Sequence, residues 1–185
     1  DIAGGCDNDG DGVVDAAFGD ELDLGAGDLS MSAVLPEADA ILTVNLTPMS
    51  TIAAELVKDA VSGSASESAI QDAVNNANSQ VAERFGFITE DITLIPLIDL
   101  TDVSAVAAID DNFETLVFSS LNAAIISAVQ SDASSETSIN GAIHLFADDF
   151  AEHGLTDNSL DQSVTDMGDL LAETEKVIGS VVSII

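Results

Sequence analysis

Near the start of the chain, the stretch Asp7-Asn8-Asp9-Gly10-Asp11-Gly12-Val13-Val14-Asp15 has residue types and spacing suited to holding a hard divalent cation. Asp7, Asp9 and Asp11 fall at positions 1, 3 and 5 of a calcium loop, Gly12 at position 6, the Val13 carbonyl at 7 and Asp15 at 9. Oxygen ligands at alternate positions converge on one ion only if the chain curls around it, and Gly12 permits that curl. Position 12 departs from the pattern. Phe18 stands where a bidentate acid is expected, and Asp20 or Glu21, slightly downstream, could supply the missing oxygens. The expected cofactor is therefore Ca²⁺, held by Asp7, Asp9, Asp11, Val13, Asp15 and one or both of Asp20 and Glu21. The competing reading is a solvated acidic turn. A structural ion suits the sequence better than a sensor, since sensors open Met-rich grooves between paired helices and this chain has 3 Met.

Other groups able to do chemistry are sparser. His144 and Asp148 stand one helical turn apart, with Asp149, Glu152 and His153 close in sequence. A transition-metal site there is conceivable, but a solvated helix face explains the same residues. Asp110-Asp111 and Asp148-Asp149 are paired carboxylates of the kind that perform acid-base catalysis in a cleft, and in so acidic a chain such neighbours also arise by chance. GxSxG, HExxH, CxxC and phosphate-cradling Gly motifs are missing from the sequence, and Cys6 has no histidine near it in sequence. No catalytic residue is assigned, and the chain is read as a non-enzyme. Ala3-Gly4-Gly5-Cys6 is a poor lipid-attachment box, and Asn45-Leu46-Thr47 is a glycosylation sequon that abuts a helix cap.

Elements that would position these groups follow from periodicity. Glu21-Leu22-Asp23-Leu24, Leu29-Ser30-Met31-Ser32 and Ile41-Leu42-Thr43-Val44-Asn45-Leu46 alternate with period two between Gly and Pro36, and predict short antiparallel strands. Thr47-Pro48 reads as an N-cap and first-turn proline, with Ile52, Leu56 and Ala60 following at helical spacing. Ser64 and Glu67 have capping-box spacing, and Ile70, Val74, Ala77, Val81 and Phe85 make one face that stops at Gly86. An apolar connection over 87–100 leads to a long helix predicted over 102–130, with Val106, Ile109, Phe113, Val117, Leu121, Ala124 and Ala128 as its inward stripe. Ile139, Ile143, Phe146 and Phe150 define a fourth helix ending at Gly154. Ser159 and Gln162 open a fifth, with Leu160, Val164, Met167, Leu171 and Ile178 inward. The last stretch, Val177-Ile178-Gly179-Ser180-Val181-Val182-Ser183-Ile184-Ile185, is β-branched and free of acid, and its periodicity fits a helix end or a strand equally. The expected fold is mainly α with a small β part: a calcium loop and short strands over 1–47, then a bundle of about five helices over 48–185.

Composition limits the partners. The 185 residues carry 34 Asp+Glu against 3 Lys+Arg, a formal charge of -31, yet 46% are apolar, enough to build a core. So strong a negative charge repels phosphate backbones and anionic membrane surfaces, and without Trp or Tyr the chain offers little for bases to stack on. No nucleic acid and no membrane insertion are expected, since no run of eighteen apolar residues occurs. Self-repulsion of this size is relieved by salt or divalent cations, which makes salt or calcium part of the expected working environment. The first residues lack the charged and apolar regions of a signal peptide, so the chain reads as a mature or excised segment.

The order of these parts carries a resemblance. Residues 6–15 resemble the Cys-Asp-x-Asn-x-Asn-Gly-x-x-Asp calcium turn of repeat modules in large secreted bacterial surface proteins of the adhesin type. Val44-Asn45-Leu46-Thr47-Pro48-Met49-Ser50-Thr51-Ile52-Ala53 is similar to the Val-Thr-Pro-Leu-Thr-Thr-Leu-Ala segment that follows such turns. Ala77-Asn78-Ser79-Gln80-Val81-Ala82-Glu83-Arg84-Phe85-Gly86 and Phe146-Ala147-Asp148-Asp149-Phe150-Ala151-Glu152-His153-Gly154-Leu155 look like the later helices of the same proteins. The likeness implies an exported, cell-surface or extracellular module without enzymatic activity. Phe18 and the shortness of the strand region depart from it.

These expectations combine into a secreted, calcium-stabilised structural protein of the bacterial surface or extracellular matrix, self-associating through its chain ends into filaments. The apolar C-terminal run supplies the motive, as a strand added to the next copy. The alternative is a monomeric binding module of a larger adhesin or surface lipoprotein.

Overall fold

A computed structural model describes residues 5–6, 13–17, 30–36, 44–61, 63, 65–89, 91–109, 113–132, 139–153 and 167–184. The chain is mainly helical. Helix α1 spans Pro48–Ala60, and Thr47 caps it: its Oγ1 accepts from the Ser50 amide at 3.0 Å while the Ser50 hydroxyl accepts from the Thr47 amide at 2.8 Å. That reciprocal box satisfies two backbone groups that would otherwise be orphaned, and Pro48 needs no partner at the first position. A third first-turn amide, that of Met49, donates to Asn122 Oδ1 at 3.0 Å, so a side chain from elsewhere in the fold completes the cap. Helix α2, Glu67–Phe85, starts on Ser66, whose Oγ accepts from the Ala69 amide, and not on the expected Ser64. It ends at Gly86, whose φ of 76° is the left-handed conformation that closes a helix without a Cβ penalty.

The long helix expected over 102–130 is two helices. Asp102 caps α3, Val103–Ala107, by accepting from the Ser104 and Ala105 amides, and the helix stops at Ala108. Helix α4 begins anew at Phe113 and runs to Asp132. Asp110-Asp111-Asn112, between them, are short polar residues that compete for backbone groups and favour caps and turns over helix interiors. Apolar spacing carried across that gap had joined two stripes that are not continuous. Helix α5 is Ile139–His153 and α6 is Met167–Ile184; the predicted helix start at Ser159 and Gln162, with Leu160 and Val164, lies outside the described residues.

Helix α1 packs on α2 and α5, and α4 packs on α5 and α6. Their shared core takes Met49, Ile52 and Ala53 from α1, Val74, Ala77 and Val81 from α2, and Phe118, Leu121 and Ile125 from α4. Phe146 and Phe150 of α5 and Leu170 and Val177 of α6 complete it. Three positions expected inward face solvent instead, Ile70 on α2, Phe113 on α4 and Leu171 on α6. On α6 the neighbouring Leu170 is the buried one.

Strand is confined, among the described residues, to β1, Gly5–Cys6, and β2, Ala16–Ala17, paired antiparallel. Residues 30–32 and 44–46, expected in strands, have no ladder. Their polar groups go to helices and the connection: the Ser30 amide to Asn140 Oδ1, the Ser32 amide to Thr51 Oγ1, the Ser32 carbonyl to the Ser50 hydroxyl, and Asn45 Nδ2 to the Ile95 carbonyl. Val34 likewise accepts from Asn78 Nδ2. Side chains on the helices thus replace the neighbouring strand that period-two alternation implied. The expected strand at 21–24, residue 29 and residues 41–43 lie outside the described residues.

The C-terminal run is helical through Ile184, and Val177 and Val181 are buried. Glu173 fastens this helix to α4. Its carboxylate is nearly enclosed and accepts from the Ser127 hydroxyl of α4 at 2.8 Å and from Lys176 one turn along.

Candidate functional site

The β1–β2 pair is the local structure that bears on the segment expected to form a calcium loop. Its register sets Gly5 opposite Ala17 and Cys6 opposite Ala16, so residues 7–15 are closed into a loop at its base. Paired strands lie about 4.8 Å apart, which holds the two ends of the loop together at the span of one coordination sphere. Of the residues expected to ligate, Val13 and Asp15 are described; both are exposed, at alternate positions just before β2. Asp7, Asp9, Asp11, Asp20 and Glu21 lie outside the described residues. Ca²⁺ accepts six to eight oxygen ligands in loose geometry, which is the donor type the sequence of this segment offers.

The histidine region is less suited to a metal. His144 is half-buried and Asp148 exposed on α5, and among the described residues no group of three or more His, Cys, Asp or Glu converges as a metal site would. Asp110-Asp111 lies outside the described residues. The Asn45 sequon is occupied by structure: Asn45 Nδ2 donates to Ile95, and Thr47 is buried as the α1 cap.

A second polar constellation, not anticipated from motifs, surrounds the start of α4. The Glu114 carboxylate accepts from the Ile88 amide at 2.6 Å, the Thr89 amide at 2.9 Å and the Thr89 hydroxyl at 2.7 Å. These bonds from Thr89 hold its carboxyl below the usual carboxylate range, with the Ile88 amide adding to them against a modest opposing effect of burial. Farther along, Asp91 accepts from the amide and hydroxyl of Thr93, and Asp99 does the same with Thr101. Asp99 is also held below its ordinary range, the Thr101 hydroxyl being the main cause. The signal for this region was present as a repeated Asp-x-Thr, at 91–93 and 99–101, which is Asx-turn chemistry. The Ile98 amide donates to Ser119 Oγ and Phe87 sits edge-on to Phe118, so both ends of the connection are tied to α4, while Ile92–Leu94 between them packs against α1 and α2.

Glu173 and Glu114 are both more acidic in the folded protein than the ordinary 4.5. For Glu173, burial opposes ionisation and the bonds from Lys176 and Ser127 outweigh it. A carboxyl whose folded pKa is depressed binds fewer protons than in the unfolded chain, so its contribution is complete above the unfolded value and is lost as pH falls through the folded one. Unfolding measured between neutral pH and below 4 should therefore show wild type losing its advantage over Glu114→Gln on the acid side; a difference independent of pH would contradict this reading.

Between α1 and α2 lies an open groove of about 630 Å³, floored by Leu56, Ala73 and Ala77 and edged by Asp59, Asp72 and Gln80. It holds no nucleophile or histidine to start a reaction. Comparison with protein-family models, with curated proteins and with solved structures finds no match. No described helix is long and apolar enough to cross a membrane.

Proposed function

We propose that this chain is a non-catalytic, calcium-stabilised structural module of the bacterial cell surface or extracellular matrix, in which Ca²⁺ staples the N-terminal loop ahead of the helical bundle. The observation carrying the proposal is the register of β1 with β2, which closes the acid-rich segment 7–15 at its base. The formal charge of -31 fits the same reading, because a bound divalent cation offsets repulsion that the compact state otherwise bears.

Two forms of this function differ in assembly. Self-association through the chain ends needs the C-terminal run as a free strand, whereas Val177 and Val181 are buried and α6 is tied to α4 through Glu173. Releasing it would expose part of the core. That packing favours the second form, a monomeric binding module of a larger adhesin or surface lipoprotein. Sedimentation and electron microscopy of the purified protein, with calcium and with EGTA, distinguish them. Monomers in calcium at high concentration are the expected result; calcium-dependent filaments, lost on removing residues 181–185, would establish chain-end assembly instead.

A further inference from the structure

The groove of about 630 Å³ between α1 and α2 is lined by residues at helical spacing on both sides. Leu56 and Asp59, three apart, come from the last two turns of α1; Ala73, Ala77 and Gln80, four and three apart, come from α2, with Asp72 beside them. Residues so spaced share one face of a helix, so each helix gives the groove one continuous wall. Leucine and alanine make its surface apolar, its polar side chains are carboxylates and amides, and no lysine, arginine or histidine lines it.

Many carboxylates of the described chain are occupied by its own donors: Glu55 by Lys58, Glu114 by Thr89, Asp99 by Thr101, Glu173 by Ser127 and Lys176. Asp59 and Asp72 have no hydrogen bond or ion pair among the described residues. Asp59 moreover stands next to last in α1, where the unpaired carbonyls of a helix end carry partial negative charge and a cation is the favoured neighbour. Lys58 does not serve the groove. It donates to Glu55 at 2.6 Å, and after Glu55 the charge of Asp148 on α5 acts on it more strongly than that of Asp59, so its ammonium sits on the α5 side of α1. Arg84 follows Asp72 by twelve residues, about 18 Å along the α2 axis, and its side chain cannot span that distance. The chain thus holds two carboxylates over an apolar floor and brings no cation of its own to them.

Those two properties together select the occupant. A metal ion would use the carboxylates and leave the floor idle, and a wholly apolar group would do the reverse. Lysine and arginine side chains use both, because the stem lies along apolar surface while the charged head meets acid. We infer that the groove between α1 and α2 docks a basic segment of another protein, whose lysine or arginine lays its stem on Leu56, Ala73 and Ala77 and brings its charged head to Asp59 and Asp72. The groove is larger than one side chain needs and has the volume of a ligand site, so residues flanking the inserted one enter it too, and the short alanines let their backbone approach α2. A second copy is a poor occupant: both its lysines are held by Glu55 and Glu173, and two chains of formal charge -31 repel. The inference names a partner class for the monomeric binding-module reading and rests on that reading; the calcium loop has no part in it.

The test uses the full chain in calcium buffer and a fluorescent peptide of alanine and lysine, beside the same peptide with 2,4-diaminobutyric acid for each lysine, which keeps the charge and shortens the stem by two methylenes. The groove variant is Asp59→Asn with Asp72→Asn. Its control is Glu83→Gln with Glu175→Gln, which removes as much charge from exposed positions that do not line the groove. All four side chains are exposed, so circular dichroism should be unchanged. The expected result is saturable binding of the lysine peptide, weakened roughly tenfold or more by the groove variant and about twofold or less by the control, with the short-stemmed peptide several-fold weaker on wild type. No binding, or undiminished binding by the groove variant, would overturn the inference. Equal losses in variant and control, or equal binding of the two peptides, would also overturn it by reducing it to general attraction by an acidic protein. Butylamine competing as well as the peptide at equal amine concentration would make a small amine the occupant and reject a protein partner. Sedimentation of the protein alone separates this from failure of the monomeric reading: a dimer dispersed by the groove variant makes a second copy the occupant, whereas association that the variant retains rejects only the monomeric reading.

Discussion

Phe118→Ala should lower the unfolding free energy by about 3–5 kcal/mol, the range for truncating a buried phenylalanine. Phe118 is 1% exposed in the middle of the shared core, and its ring meets that of Phe87 edge-on at 5.4 Å, so α4 and the 87–98 connection lose their common anchor together. The melting temperature of a chain this size should fall by roughly 6–20 °C. Phe113, the same residue type five positions earlier on the same helix, supplies the contrast, since truncating so exposed a ring should shift stability by no more than about 0.5 kcal/mol. Chemical denaturation of the two variants side by side measures both. Comparable losses would mean that the separation of packed from exposed faces on α4 is wrong.

Chelation should produce the other large effect. If the loop binds Ca²⁺ only in the folded protein, calcium at about a hundred times its dissociation constant adds about 2.7 kcal/mol of stability. For this length that corresponds to a melting temperature higher by roughly 5–10 °C in calcium than in EGTA. Exposed carboxylates elsewhere also attract divalent ions, so the informative comparison is with Asp9→Asn and Asp11→Asn. In EGTA these substitutions relieve repulsion and leave stability equal to or above that of wild type; in calcium they should forfeit most of the increment. Magnesium separates the cases further, because it demands near-ideal octahedral oxygens and sheds water reluctantly. A magnesium effect as large as that of calcium would indicate general charge screening.

Much of the helical frame was legible because its punctuation is chemical and local. Thr47-Pro48 had to be an N-terminus, and Gly86 a left-handed stop, whatever packed around them. The α2 cap fell on Ser66 instead of Ser64 because a run of serines supplies several residues able to do the same work. Apolar spacing failed where it was asked to cross polar residues: the stripe from Val106 to Val117 spans Asp110-Asp111-Asn112, and α3 and α4 are separate. Alternation failed in a different way. Residues 30–32 and 44–46 read as strands, but alternation records which side chains point inward and not what satisfies the backbone; here Thr51, Ser50 and Asn140 do so.

Tertiary context settled the C-terminal run, whose β-branched residues suited strand or helix until α4 offered Ser127 to Glu173 and a pocket for Val177 and Val181. The acidic loop was visible in the sequence as residue types at ligand spacing, whereas its closure by Gly5–Cys6 against Ala16–Ala17 was not, since two-residue strands leave no periodicity to detect. Least visible was which apolar residues of the connection after α2 stay outside. Ile88, Leu94 and Leu97 look like core residues in any hydropathy pattern, and only the placement of the connection shows that Ile92 and Ile95 took the interior.

Calcium titration calorimetry at high monovalent salt, which suppresses diffuse binding to the acidic surface, tests the central claim most directly. One saturable site per chain, abolished by substituting Asp7, Asp9 and Asp11 together with asparagine while the helical signal persists, is the expected result. Heats that never saturate, or a site that survives the substitution unchanged, would contradict the account.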